Sequence, residues 1–242
     1  MRGAHCKTGM LASVTSIAEA KLAFSAGADI IDLKDPTGGA LGALPLETIV
    51  KIVTWVGGRK PVSATIGDLV NNVQEQLGRS VEAVAATGVD YVKVGFFPGI
   101  DTDTFIATLS DLARGGVAIV VVLFGDAGWP PAFISELAGS GIAGVMLDTA
   151  SKGGRSLRHY VTEKAIDNFL REAASHGWIT GLAGSLTVQD IPHLLPLAPD
   201  YLGFRGALCD EQNRNLGLDP AALARVCSAM LAKQPIRAQA EG

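Results

Sequence analysis

Ala26-Gly27-Ala28-Asp29-Ile30-Ile31-Asp32-Leu33-Lys34-Asp35-Pro36 contains a complete helix-to-strand joint and the strand that it feeds. Gly27 ends a helix in the left-handed conformation and Asp29 supplies the turn. Alternate strand residues share a face, so Asp32 and Lys34 point one way while Ile31 and Leu33 point the other. Charges are costly inside a sheet and are usually excluded from it. A carboxylate and an ammonium on one face of an apolar strand therefore suggest chemistry.

Related joints stand at Thr87-Gly88-Val89-Asp90, Gly139-Ser140-Gly141-Ile142 and Ala198-Pro199-Asp200-Tyr201. Apolar runs predict strands over Met10–Ser13, Ile30–Leu33, Pro61–Ile66, Tyr91–Gly95, Ala118–Leu123, Gly144–Leu147, Ile179–Ala183 and Tyr201–Phe204. Amphipathic runs between them predict helices over Ile17–Ser25, Leu46–Val56, Val70–Ala86, Thr102–Ala113, Pro131–Ala138, Thr162–Ser175, Val188–Leu195 and Pro220–Lys233. These are eight strand–helix units of about 30 residues, the size of a βα repeat. Eight parallel repeats in this length predict an α/β chain folded as a single (β/α)8 barrel. The barrel is expected over residues 10–235, between an N-terminal extension (1–9) and a C-terminal tail (236–242). No Pro/Ser-rich or charged linker offers a boundary for two domains. An open doubly wound sheet usually carries GxGxxG after its first strand, and that motif is absent.

Composition narrows the function classes. Of 242 residues, 48% are hydrophobic and 18% charged, which means a large core. A net charge of −4 gives no reason to expect nucleic acid or an acidic membrane as partner. Cys6, Cys209 and Cys227 are odd in number and lack CxxC spacing, as expected of reduced thiols in a cytoplasmic protein. No apolar run approaches the roughly 20 residues of a membrane span. His5, His159, His176 and His193 show no HxH or HExxH spacing, so a metal site is not expected; there is no GxxxxGK(S/T) loop either, and no cofactor is expected.

A barrel gives the charged positions a common address. Asp32 and Lys34 fall on strand 2, Lys93 on strand 4, Asp148 at the end of strand 6 with Lys152 four residues on, and Arg205 at the end of strand 8. Alternate strands share an interior layer, and active sites lie at the C-terminal mouth. Two crowded, partly buried lysines lose a proton more readily, which makes an amine able to attack a carbonyl and form a Schiff base. A neighbouring lysine or carboxylate would move protons. Buried Asp–Lys pairs that only fix strand register are the bland alternative. The loops after strands 7 and 8, with Gly184-Ser185 and Arg205-Gly206, occupy the usual phosphate grip of such barrels, aided by the following helix N-terminus. Ser185 could equally cap that helix. The Gly38-Gly39 and Gly153-Gly154 pairs read as flexible mouth loops or ordinary turns.

The ordered set Ala26–Pro36, Val62-Ser-Ala-Thr-Ile-Gly-Asp, Tyr91-Val-Lys-Val-Gly, Met146-Leu-Asp-Thr-Ala-Ser-Lys and Leu182-Ala-Gly-Ser resembles the (5-formylfuran-3-yl)methyl phosphate synthases of methanofuran biosynthesis. The likeness runs from about Leu11 to the last helix and includes Arg205-Gly-Ala, Cys209 and Arg214-Asn215. It implies a (β/α)8 barrel and a carbon–oxygen lyase acting on phosphates. Such enzymes join two glyceraldehyde 3-phosphate molecules into 4-(hydroxymethyl)-2-furancarboxaldehyde phosphate, with loss of phosphate and water. By resemblance, Lys34 is the Schiff-base lysine and Lys93 the proton acceptor, while Asp32, Asp148 and Lys152 are further charged groups of the pocket. The partners implied are a phosphorylated triose and further copies of the chain. The segment Gly125–Pro131 after strand 5 looks shorter than in archaeal-type members. Two other functions compete: another lysine-dependent aldolase or phosphosugar isomerase on the same barrel, and a non-catalytic phosphometabolite sensor.

Overall fold

The computed structural model describes residues 7–69, 73–151 and 155–232. Eight strands form one closed parallel barrel in sequence order: β1 (Gly9–Val14), β2 (Ile30–Leu33), β3 (Val62–Thr65), β4 (Tyr91–Gly95), β5 (Ile119–Phe124), β6 (Gly144–Asp148), β7 (Ile179–Leu182) and β8 (Tyr201–Phe204). The longer helices are α1 (Ile17–Ser25), α2 (Leu46–Val56), α3 (Val73–Ala85), α4 (Thr102–Arg114), α7 (Glu163–Ser175) and α9 (Pro220–Ala232). Single turns α5 (Phe133–Glu136), α6 (Leu157–Tyr160) and α8 (Ile191–Leu194) complete the set among the described residues.

Period-2 alternation divides the core. Leu11, Val120, Val122, Phe124, Met146 and Tyr201 form a cluster inside the barrel. Their strand neighbours Ala12, Val121, Val145, Leu147 and Leu202 join the larger cluster between sheet and helices. All are buried, so a one-residue slip would exchange the two cores and expel the interior charges.

The aspartate of the joints does more than make a turn. Asp29, Asp90 and Asp200 precede β2, β4 and β8, and each carboxylate accepts the amide of the preceding strand. The acceptors' partners are Met10, Val62 and Thr180, all at 2.7 Å. Gly27 and Gly88 take φ of 95° and 85° at these joints, a region open to glycine at little cost.

Two expected helices shrink. Pro131–Ala138 becomes the turn α5, preceded by Pro130 and Pro131. Val188–Leu195 becomes α8 followed by a 3-10 turn over Leu195–Leu197, with Pro192 and Pro196 interrupting the amide ladder. The first residues of the helix expected from Val70 lie outside the described residues, as do Cys6 and the tail 236–242. No described helix is long and apolar enough to cross a membrane.

Candidate active site

The strands lift four charged side chains into one cavity at the C-terminal mouth. Asp32 sits in β2 and Lys34 one residue beyond it, Lys93 is central in β4, and Asp148 ends β6. Asp32 is 0% exposed, Lys93 2%, Asp148 4% and Lys34 8%. They line a cavity of about 180 Å³ together with Gly184, Ser185, Arg205, Gly206 and Arg214. Lys152 lies outside the described residues, as do Gly153 and Gly154.

The cavity lies where the barrel's inward residues are small. Ala183, just past β7, and Gly203, in β8, face it, and a Cβ on Gly203 would stand 3.2 Å from both Ala183 Cβ and Met146 Cε. The opposite half of the mouth is filled. Leu41, from the loop after β2, and Phe97 close over Gly95, whose missing side chain makes room for them. Phe97 in turn packs on Phe124 at 4.7 Å between ring centroids. Apolar bulk on one side and small residues on the other leave a one-sided opening beside the lysines.

Two ion pairs organise the charges. Lys93 Nζ donates to Asp32 Oδ1 at 2.9 Å, and Lys34 Nζ donates to Asp148 Oδ2 at 3.2 Å, joining β2 to β6. Asp32 also accepts hydrogen bonds from Ser13 Oγ (2.7 Å) and Ser63 Oγ (2.6 Å), its register neighbours on β1 and β3. Burial pushes the Asp32 carboxyl up. The Lys93 charge, the Ser63 hydroxyl and the Lys34 charge overcome that, so it lies below the ordinary carboxylate value. Asp148 Oδ1 accepts the Thr149 amide at 2.7 Å, which fixes the carboxylate that meets Lys34. The crowding of two lysines expected from sequence is thus balanced, because each ammonium has its own carboxylate.

The mouth loops are held by acidic staples. Asp68 accepts the Ala40 and Leu41 amides at 2.8 and 2.7 Å, fastening the loop after β2 to the loop after β3. Gly39 has φ of 102° there, and a Cβ would meet Asp68 Oδ2 at 2.1 Å, so the Gly38-Gly39 pair is a fitted close approach. Asp126, in the segment after β5, accepts the Ala150 and Ser151 amides at 2.7 Å each. Asp190 accepts the Thr187 amide at 2.9 Å and ties the loop after β7 to Ser156 and Arg158.

The phosphate-grip loops differ from expectation in two respects. Ser185 caps no helix: it has φ of 47°, and α8 begins six residues later with Asp190 at its N-cap. Any anion bound here meets loop amides and side chains, since α8 is a single turn. Arg205 lines the cavity, yet all five of its N–H donors are engaged. Nε donates to the Arg214 carbonyl (3.0 Å); one terminal nitrogen donates to Glu19 Oε2 (2.6 Å) and the Ser13 carbonyl (3.2 Å). The other donates to Glu19 Oε1 (3.2 Å) and the Leu216 carbonyl (2.9 Å). Arg205 is therefore a brace between α1 and the loop after β8 and has no donor left for a phosphate. Burial raises the Glu19 carboxyl, but hydrogen bonds from Arg205 and Thr15 bring it below its ordinary value.

Sequence reading assigned no role to Ser13, Ser63 or Glu19. The serines were detectable as polar residues at inward strand positions. Glu19 was detectable as the last member of Ser16-x-x-Glu19, the spacing of a helix-start capping box. In the structure Ser16 Oγ accepts the Glu19 amide at 3.3 Å, while the Glu19 carboxylate turns to Thr15 and Arg205. Among the described residues no group of His, Cys, Asp and Glu could hold a metal ion.

Known proteins share the fold of this chain and, more closely, its sequence. Solved barrels share the fold at low identity. Phosphoribosyl anthranilate isomerase from Thermus thermophilus matches with a TM-score of 0.65 and 12% identity, covering 93% of this chain and 99% of that one. 3-keto-L-gulonate-6-phosphate decarboxylase from Vibrio cholerae matches with a TM-score of 0.64 and 13% identity, covering 95% and 100%. Sequence relatives are much nearer. A provisionally named (5-formylfuran-3-yl)methyl phosphate synthase of Methylorubrum extorquens is 41% identical over 223 residues, 92% of each chain. The (5-formylfuran-3-yl)methyl phosphate synthase of Methanopyrus kandleri is 33% identical over 234 residues, 92% of this chain and 98% of its own. The family model for 4-HFC-P synthase matches residues 10–227. With this match spanning the whole barrel, from β1 into α9, the chain belongs to the 4-HFC-P synthase family.

Proposed function

We propose that this enzyme condenses two molecules of glyceraldehyde 3-phosphate into 4-(hydroxymethyl)-2-furancarboxaldehyde phosphate, for a methanofuran-type one-carbon carrier, through an imine on Lys34. The observation that carries the reading is the pair of lysines in one mouth, each against its own aspartate. A set of register-fixing ion pairs would not require a cavity beside them, and here all four charges line one.

The roles follow from position. Lys34 stands just past its strand, at the rim, where a flexible stem can reach a carbonyl. Passing its proton to Asp148 leaves the free amine, and loss of water from the adduct leaves an iminium that draws electrons from the adjacent carbon. Lys93 lies deeper, within β4, and carries protons to and from that carbon frame. Asp32, ionised and fixed by Ser13 and Ser63, holds Lys93 in place. Aldol addition, elimination of one phosphate and dehydration then close the furan. Lys152, four residues after Asp148 in the sequence, is assigned to the same reaction by the family resemblance alone, and the amides of Gly184, Ser185 and Gly206 supply phosphate contacts. Charge complementarity to a doubly anionic triose at this cation-rich mouth supports the substrate class.

Incubation with glyceraldehyde 3-phosphate is expected to give an ultraviolet-absorbing furan aldehyde, with inorganic phosphate released in equal amount. Borohydride trapping of the substrate on the protein without an aromatic product would instead favour another class I aldolase. Binding with neither would leave a sensor.

A further inference from the structure

Four cationic side chains among the described residues line the mouth cavity: Lys34, Lys93, Arg205 and Arg214. Three of them meet carboxylates, at 3.2 Å (Asp148), 2.9 Å (Asp32) and 2.6 Å (Glu19) respectively. Arg214 differs: no carboxylate of the described residues stands within ion-pair distance of it. Among the described residues its buried Nε has no hydrogen-bond partner, and its one side-chain hydrogen bond runs from a terminal nitrogen to the Gly39 carbonyl at 3.5 Å. A half-buried guanidinium with an unfilled donor is costly to keep unless something charged completes it.

The backbone beneath Arg214 is held firmly. Arg205 Nε binds the Arg214 carbonyl, and the braced Glu19–Arg205 pair ties that loop to α1. Glu211 and Gln212, just before it, adopt φ of 49° and 56°, an unusual conformation for residues other than glycine. The side chain also lies at the boundary with an adjoining cavity lined by Thr37, Gly39, Asn213 and Asn215. A guanidinium presents its donors in a planar fork that matches phosphate oxygens.

We propose that Arg214 is the cation that receives the phosphate of one triose phosphate at the junction of the two cavities, with Arg205 and Glu19 as its positioning residues. This rests on the phosphorylated-substrate reading above and adds a specificity residue to it. Burial lowers the Arg214 pKa, and Asp148, Asp35 and Asp68 oppose that only from beyond ion-pair distance, so no carboxylate of the described residues is paired with the cation that an incoming dianion meets.

Inorganic phosphate is the probe, followed by titration calorimetry on the whole protein. Wild type is expected to bind it, Arg214→Gln to bind at least about tenfold more weakly, and Arg214→Lys to fall between, since it keeps the charge and loses the fork. With glyceraldehyde 3-phosphate, Arg214→Gln should raise KM by a similar factor, while the rate of borohydride trapping at saturating substrate changes less than about threefold. Phosphate binding by Arg214→Gln equal to that of wild type overturns the proposal. So does failure of wild type to bind phosphate, or loss of trapping at saturation with KM unchanged. Because the phosphate titration does not depend on furan formation, absence of the furan product in wild type counts against the reaction and leaves this assignment to its own test.

Discussion

Lys34→Arg is expected to lower furan formation by on the order of 10⁴-fold or more, because a guanidinium keeps the positive charge opposite Asp148 but cannot form an imine. Lys93→Arg separates the second role. It retains a cation for Asp32 and leaves Lys34 intact, so borohydride trapping of the substrate should persist. Turnover to the furan should drop about 10²–10⁴-fold, the range for loss of a positioned proton-transfer group. Steady-state rates measured beside trapping yields test the division. Equal loss of trapping in both variants would mean that Lys93, and not Lys34 alone, is needed to form the adduct.

Asp32→Ala carries the largest expected stability effect. It leaves the Lys93 ammonium, 2% exposed, without its carboxylate, and takes the acceptor from Ser13 and Ser63. Breaking a buried ion pair by removing one partner costs about 3–5 kcal/mol. At about 2–4 °C per kcal/mol for a chain of this size, the melting temperature should fall by roughly 6–20 °C. Asp32→Leu combined with Lys93→Met removes both charges and should recover most of the loss without recovering activity. Thermal unfolding checks both, and an Asp32→Ala protein as stable as wild type would show that the pair is not held as described. The pH dependence has a definite sign. Asp32 and Glu19 are held below their ordinary values of 3.8 and 4.5, so their contribution is full above about pH 4.5. It is lost as pH falls through their lower folded values, and the acid limb should be shallower in Asp32→Ala.

The fold was legible because its signals are local. Ile30–Leu33, Tyr91–Gly95 and Tyr201–Phe204 are strands over the same residues that alternation marks in the sequence. The even-strand parity of Asp32, Lys93 and Asp148 followed from the repeat count alone, and it was enough to bring them to one mouth. Pairing was not legible. Lys34 and Asp148 are 114 residues apart, and which aspartate meets which lysine depends on barrel closure. Arg205 stands where such a barrel places its phosphate grip, and only the fold shows the brace to Glu19, which spans 186 residues and leaves no sequence pattern. The shortened α5 and α8 show the reverse case: the apolar period runs through Pro131 and Pro192, but the amides missing there interrupt the helix.

The proposed chemistry depends on Lys34 as the covalent residue of this mouth. Mass spectrometry of wild-type protein treated with borohydride in the presence of glyceraldehyde 3-phosphate tests it most directly. A single reduced adduct is expected on the peptide carrying Lys34, absent from Lys34→Arg and retained in Lys93→Arg. An adduct on Lys93 or Lys152 in wild type, or one that survives in Lys34→Arg, would contradict it.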